Sequence, residues 1–269
     1  MIIDFHTHVF PDKIAGATVA ALQASSGTPA RSDGTVAGLT SALREAGADI
    51  AVNLPVLTKP SQFDSIARFA GEINRAEYTD TRIISFGGMH PDCEDVEEKL
   101  SYLKEQGFLG IKIHPDYQNT FIDDGRYVRI LKAAKELGLI TVTHAGLDAA
   151  YVGQPIKCTP VRVLNLLDKI GGYSKFVLAH IGGNEMYEEV YSHLAGEDVY
   201  FDTSYSLHSI DADMFKRLLL KHGEDRILFA TDSPWRSIAE EADLIRSFKL
   251  GADSEKKIFS ENARQLLGI

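Results

Sequence analysis

Nine histidines are spread over the 269 residues, and six of them stand at or just past the ends of apolar runs. His6 and His8 close the first run, His90 follows the third, and His114, His144 and His180 close the fourth, fifth and sixth. His193, His208 and His222 lie elsewhere, His208 just beyond the seventh run. In His6-Thr7-His8 the imidazoles are two positions apart, a spacing that points both side chains to one face of a strand. Two neutral nitrogens from one rigid element make a good start to a metal site. Asp232, in Ala230-Thr231-Asp232-Ser233-Pro234, adds a carboxylate at the end of the eighth run. A mixed His/Asp set suits zinc first, with manganese, iron or cobalt as alternatives. A lone strand-end histidine is usually a packing residue, and an Asp before Ser-Pro is usually a turn residue. The convergence of these side chains on one rim makes a metal centre the expectation.

Eight short, near-continuously apolar runs read as strands covered on both faces: Ile2–His6, Asp49–Pro55, Arg82–Gly87, Leu109–His114, Leu139–His144, Lys175–His180, Asp198–Thr203 and Arg226–Thr231. Helix signals lie between them. Phe63, Ile66, Phe69, Ala70 and Ile73 follow 3–4 spacing behind Ser61 and Asp64. Tyr127, Ile130, Leu131, Ala134 and Leu137 repeat it, and Gly138 supplies a stop. Thr159-Pro160 reads as an N-cap with Pro at N1, and Ser237 with Glu240 has capping-box spacing. Ser254 to Gly268 reads as a last helix. Strands alternating with helices predict an α/β fold, a (β/α)8 TIM barrel forming one domain over residues 1–269. The rival, an open doubly wound sheet, needs a glycine-rich first turn. This chain has His-Thr-His there. In a barrel, strand ends form the catalytic rim, which is where the histidines fall.

With 28 Lys+Arg against 38 Asp+Glu, the net charge of −10 disfavours nucleic acid and anionic membrane surfaces as partners. The expected partner is a small-molecule substrate. No apolar run approaches membrane-spanning length, and Met1-Ile2-Ile3-Asp4 lacks a basic leader. Two cysteines, Cys93 and Cys158, build no disulfide framework, so a cytoplasmic location is expected.

Six segments in order resemble the amidohydrolase superfamily: Asp4-Phe5-His6-Thr7-His8, Gly110-Ile111-Lys112-Ile113-His114-Pro115, Thr143-His144-Ala145, Leu178-Ala179-His180-Ile181-Gly182-Gly183, Tyr200-Phe201-Asp202-Thr203-Ser204 and Phe229-Ala230-Thr231-Asp232-Ser233-Pro234. The likeness is to the "amidohydrolase 2" group, which includes aminocarboxymuconate-semialdehyde decarboxylase and related lactonases, and it spans essentially the whole chain. It implies metal ligation by His6, His8, His144 and Asp232, with Asp232 also taking the proton of the attacking water. His180 is implied as a second-metal ligand or as a residue that orients that water. Lys112 resembles the carboxylated lysine of dihydroorotase-like members, where it bridges two metals; decarboxylase-like members generally lack it. Uncarboxylated, Lys112 offers a point charge to a substrate carboxylate. His114 shares its face and is a candidate substrate contact. One or two ions and a homodimer are compatible with the resemblance.

A divalent ion lowers the pKa of its water from 15.7 to roughly 7. The leading expectation is therefore hydrolysis of a C–N or C–O bond (amide, lactone or ester) in a small anionic or cyclic molecule, with Asp232 as general base and His180 assisting. The alternative is non-oxidative decarboxylation of an aromatic or muconate-like acid, a lyase reaction. Lys59, Tyr117, Tyr151, Lys157, Tyr205, His208, Trp235 and Arg236 lie in segments after strands and are candidates for recognition. The stretch between His8 and Asp49 is compatible with a cover over the rim.

Overall fold

A computed structural model describes residues 1–269. Its parallel strands are β1 (Ile3–Thr7), β2 (Ile50–Asn53), β3 (Arg82–Ser85, resuming as Gly87–Gly88), β4 (Gly110–Ile113), β5 (Ile140–Thr143), β6 (Phe176–Leu178), β7 (Tyr200–Asp202) and β8 (Ile227–Leu228). They pair in sequence order, and the break in β3 divides the ladder into two sheets. Closure between the last strand and the first comes from Phe5 N–H to the Phe229 carbonyl (2.9 Å), Asp232 N–H to the His6 carbonyl (2.8 Å) and a Thr7–Ser233 bridge. The fold is a (β/α)8 barrel.

Helices α1 (Asp12–Ser26) and α2 (Val36–Ala46) follow β1. They are followed in turn by α3 (Phe63–Arg75), α4 (Val96–Glu105), α5 (Gly125–Glu136), α6 (Pro160–Ile170), α7 (Tyr187–His193), α8 (Ala212–His222) and α9 (Ile238–Ser247), one after each later strand. The expected caps are in place: Thr159 Oγ1 accepts from Arg162 N–H, Ser237 Oγ from Glu240 N–H, and Gly171 ends α6 at φ +67°. The C-terminal segment is not one helix. It comprises α10 (Ala252–Lys256), a π-turn (Lys257–Glu261) and α11 (Asn262–Leu267), because Asn262 Nδ2 donates to the carbonyls of Glu224 and Ile227 and ties the turn to β8.

One apolar layer lies between strands and helices. A second fills the barrel with Ile3, Phe5, Val52, Phe86, Val142 and Val177, closed at one end by Ala263, Leu266 and Leu267 of α11. Several strands are shorter than expected because side chains replace ladder partners at their ends. Thr203 Oγ1 accepts from Ala230 N–H, and Asp4 Oδ1 accepts from Thr231 N–H. No helix is long and apolar enough to cross a membrane.

Candidate metal centre and cavity

Ile3 and Phe5 point into the barrel, so strict alternation would turn His6 and His8 outward. The pairing register shifts between Asp4 and Thr7, and such an irregularity re-aims the side chains beyond it. His6 and His8 therefore reach the barrel mouth, where their Nε2 atoms lie 3.5 and 3.0 Å from Asp232 Oδ1. Asp232 and His180 adopt left-handed backbone conformations at φ +68° and +61°. For non-glycine residues this costs about 1–3 kcal/mol each, strain of the kind that collects at functional sites. Gly146, after His144, sits at φ +84°, and a Cβ there would stand 2.1 Å from Asn184 N. Only glycine lets the segments carrying His144 and His180 approach so closely.

Partners behind the rings fix their tautomers. His8 Nδ1 faces the Leu54 carbonyl at 2.9 Å, and His180 Nδ1 faces the Ser204 carbonyl at 2.9 Å; both acceptors hold the proton on Nδ1. Asp202 Oδ2 does the same for His6 Nδ1 at 2.9 Å, while Asp202 Oδ1 accepts from His180 N–H at 3.0 Å. The Nε2 atoms of His6, His8 and His180 are left as bare acceptors. His180 Nε2 meets His144 Nδ1 at 2.9 Å, and Lys112 Nζ is 3.0 Å from His6 Nε2.

Burial, helped by the Lys112 charge, holds His6 well below its usual range. Burial pulls His144 down to about 3 and His180 to about 4, so these rings are neutral near pH 7. Burial also pulls the Lys112 ammonium down to about 8, against the charges of Asp202 and Asp232. At Asp232 burial acts upward, but the three imidazoles that face it outweigh burial and hold its carboxyl below the usual carboxylate range.

Acceptors thus outnumber protons here, with Lys112 the one cationic side chain. His6, His8 and Asp232 bring three ligand atoms within 4.8 Å of one another, so the donor set fits a divalent cation. Two buried orphans agree. His144 Nε2 and Asp116 Oδ2 have no hydrogen-bond partner and lie 3.9 Å apart. If His144 Nδ1 faces a cation, Nε2 must carry the proton and Asp116 becomes its acceptor.

A second cluster, His114, His144 and Asp148, also places three ligand atoms within 4.8 Å. His114 Nδ1 accepts from Tyr117 N–H at 3.3 Å, which puts the proton on Nε2, 3.4 Å from Asp148 Oδ2. This pair is already a donor and an acceptor. The His114 ring is stacked between Tyr117 (4.1 Å between centroids) and His144 (4.4 Å), and Asp148 Oδ1 accepts from Ala150 N–H at 2.7 Å.

Both clusters open into one cavity of about 480 Å³. It gathers all the expected site residues, His6, His8, Lys112, His114, His144, His180 and Asp232, and leaves His90 outside, where its Nδ1 accepts from Asp92 N–H. Tyr117, Tyr205 and Trp235 line it, whereas Lys59, Tyr151, Lys157, His208 and Arg236 do not. The stretch after His8 is helical, and α1 lays Ile14, Thr18 and Leu22 along the cavity wall. Asp202, Asp116 and Asp148 were not among the expected site residues. Asp202 stands at a strand end in Tyr-Phe-Asp-Thr-Ser, a signal that could have found it, whereas Asp148 lies in a loop with none.

Comparison with known proteins agrees with this architecture. The amidohydrolase family model matches residues 3–269. The chain belongs to the amidohydrolase family. Similar solved structures include a 2,6-dihydroxybenzoate decarboxylase complexed with 2,6-dihydroxybenzoate (19% identity, TM-score 0.71, covering 100% of this chain and 99% of that one). A dihydroxybenzoic acid decarboxylase from Polaromonas sp. JS666, with bound manganese and the inhibitor 2-nitroresorcinol, has 17% identity and a TM-score of 0.70, covering 99% of this chain and 96% of that one. A candidate 2-pyrone-4,6-dicarboxylic acid hydrolase from Pseudomonas putida has 17% identity and a TM-score of 0.67, covering 99% and 97%. No curated protein sequence matches this chain. At these identities the structural likeness establishes the fold, and the family is one of enzymes.

Proposed function

We propose that this amidohydrolase is a metal-dependent, non-oxidative decarboxylase of a small aromatic acid. The observation that carries the reading is the joining of an acceptor-rich pole, His6, His8 and Asp232, to a cavity walled by aromatic and aliphatic side chains. With a cation held at the first, a carboxylate belongs there and an aromatic ring against the second. The decarboxylases among the similar structures support it over the hydrolytic expectation. His6, His8 and Asp232 would hold the cation, with His144 and His180 beside them; the neighbour containing manganese supports that ion, and zinc remains compatible with the donor set. A divalent ion bound there supplies Lewis-acid charge that anchors substrate oxygens.

The chain's own residues do the rest. Asp202 and the Leu54 carbonyl orient the two rings of the His-x-His pair. Lys112 Nζ offers a hydrogen bond to the anionic end of the substrate. The bond between ring carbon and carboxyl breaks, CO2 leaves, the electron pair stays on the carbon and a proton takes its place. Asp232 and His180, which line the same pole of the cavity, would pass that proton from solvent water to the carbon. Hydrolysis of a lactone, ester or amide is the second reading, favoured by the ionised Asp232 carboxylate, which is ready to act as a base.

The test is to load the protein with manganese, offer a panel of hydroxybenzoates and measure CO2. Release that depends on the metal and on Asp232 supports decarboxylation. No CO2 from any of them, with hydrolysis of cyclic lactones or amides, transfers the assignment to the second reading.

A further inference from the structure

The charges around the cavity are placed unequally. Among its 29 lining residues Lys112 is the only lysine or arginine, and it sits at the base beside His6. The other cations of the rim loops do not line it: Lys157 Nζ lies over the Phe121 ring and the Arg236 guanidinium over the Tyr205 ring. Away from the base the only ionisable pair is His114–Asp148, and Asp148 Oδ2, 3.4 Å from His114, presents an acceptor. The rest of the wall near α1 and α3 carries no charge: Ile14, Leu22, Ile66 and Phe69 are interspersed with Thr18 and Ser65. A benzoate has nine non-hydrogen atoms and, even at the ~30 Å³ of a water molecule for each, fills about 270 Å³. The cavity of about 480 Å³ leaves room beyond a single ring.

We infer that the cavity selects a monoanion: a carboxylate held at the Lys112 and histidine pole, a hydroxyl or amine donating to Asp148, and an apolar substituent against α1 and α3. The inference rests on the reading that the substrate's carboxylate lies at the metal pole. A second carboxylate has no cation to meet. It would lie against the half-buried Ile66 and Phe69 or beside the Asp148 carboxylate with no cation in reach, and a partly desolvated charge without a partner is disfavoured. Diacids are therefore rejected, which separates this cavity from one that serves a pyrone dicarboxylate.

Three probes sharing one core test this: 2-hydroxybenzoate, its 4-butyl derivative and its 4-carboxylate. Their binding to the manganese-loaded protein is measured by calorimetry. The butyl compound is expected to bind about tenfold or more tighter than the parent, from burial of its methylenes. The 4-carboxylate is expected to bind at least about tenfold weaker than the parent, for want of a partner charge. Phe69→Ala should lose most of the butyl gain, read as the ratio of butyl to parent affinity, and Asp148→Asn should narrow the preference for 2-hydroxybenzoate over benzoate. A diacid that binds as well as the butyl compound overturns the inference, as does failure of all three to bind. Binding is read without turnover, so absence of CO2 release counts against the decarboxylase reading and leaves this ranking intact.

Discussion

The two ends of the cavity are built from the same parts, two histidines and an aspartate each, and they are chemically different. At the base, Asp202 and the Leu54 carbonyl claim the Nδ1 protons of His6 and His8, so both rings present bare Nε2 atoms to the ionised Asp232. At the wall, Tyr117 N–H takes His114 Nδ1, so the ring presents Nε2–H to Asp148. The first arrangement lacks positive charge; in the second, the His114–Asp148 pair is complete as it stands. Residue type alone does not separate a metal ligand from a hydrogen-bonding dyad. The partner behind the ring does.

The largest effect that sharpens this contrast is expected at Asp232. Asp232→Asn keeps an oxygen for the cation but loses the charge and the proton-carrying capacity, so kcat should fall by about 10²- to 10⁴-fold while most metal is retained. Activity near wild type would remove Asp232 from the mechanism. Next is Asp202, which acts through His6. Asp202→Asn can turn its amide N–H₂ toward His6 Nδ1 and so release the bare tautomer of Nε2; metal affinity should fall by about 10- to 100-fold, read by competition with a chelating dye. An unchanged affinity would mean that ring orientation is set elsewhere.

His222 gives the smallest effect and serves as a reference, because both its nitrogens are engaged: Nδ1 accepts from Gly196 N–H and Nε2–H donates to the Val199 carbonyl. Its substitution should leave metal binding untouched. Burial pulls it down to about 4, below the ordinary 6.5, so between these values the unfolded chain takes a proton that the folded one refuses. The stability it contributes is complete above 6.5 and is lost as pH falls toward 4, with a slope of at most about 1.4 kcal/mol per pH unit. His222→Gln should flatten the acid limb of the stability curve by up to that amount in urea unfolding. An equally steep limb would show that other groups set it.

Much of this was legible in the sequence because it depends on periodicity. The strand-helix alternation, the Thr159 and Ser237 caps and the i,i+2 spacing of His6 and His8 are local properties. What escaped is set by tertiary contact. The register shift in β1 that turns His6 and His8 inward has no local signature. His90 carries the same strand-end signal as His144, yet its ring lies outside the cavity with Nδ1 held by Asp92 N–H. The loop cations read as recognition candidates because charge is visible in sequence, but Lys157 and Arg236 spend theirs on neighbouring rings. Asp148 was invisible because only the fold brings its loop beside His114.

Bare imidazole nitrogens, rather than the presence of histidine and aspartate, define the metal site. The most direct measurement is manganese titration of chelator-treated protein, comparing wild type with His8→Ala and His114→Ala. His8→Ala is expected to lose tight binding, and His114→Ala to bind as wild type does. Equal loss in both variants, or loss in His114→Ala alone, would contradict it.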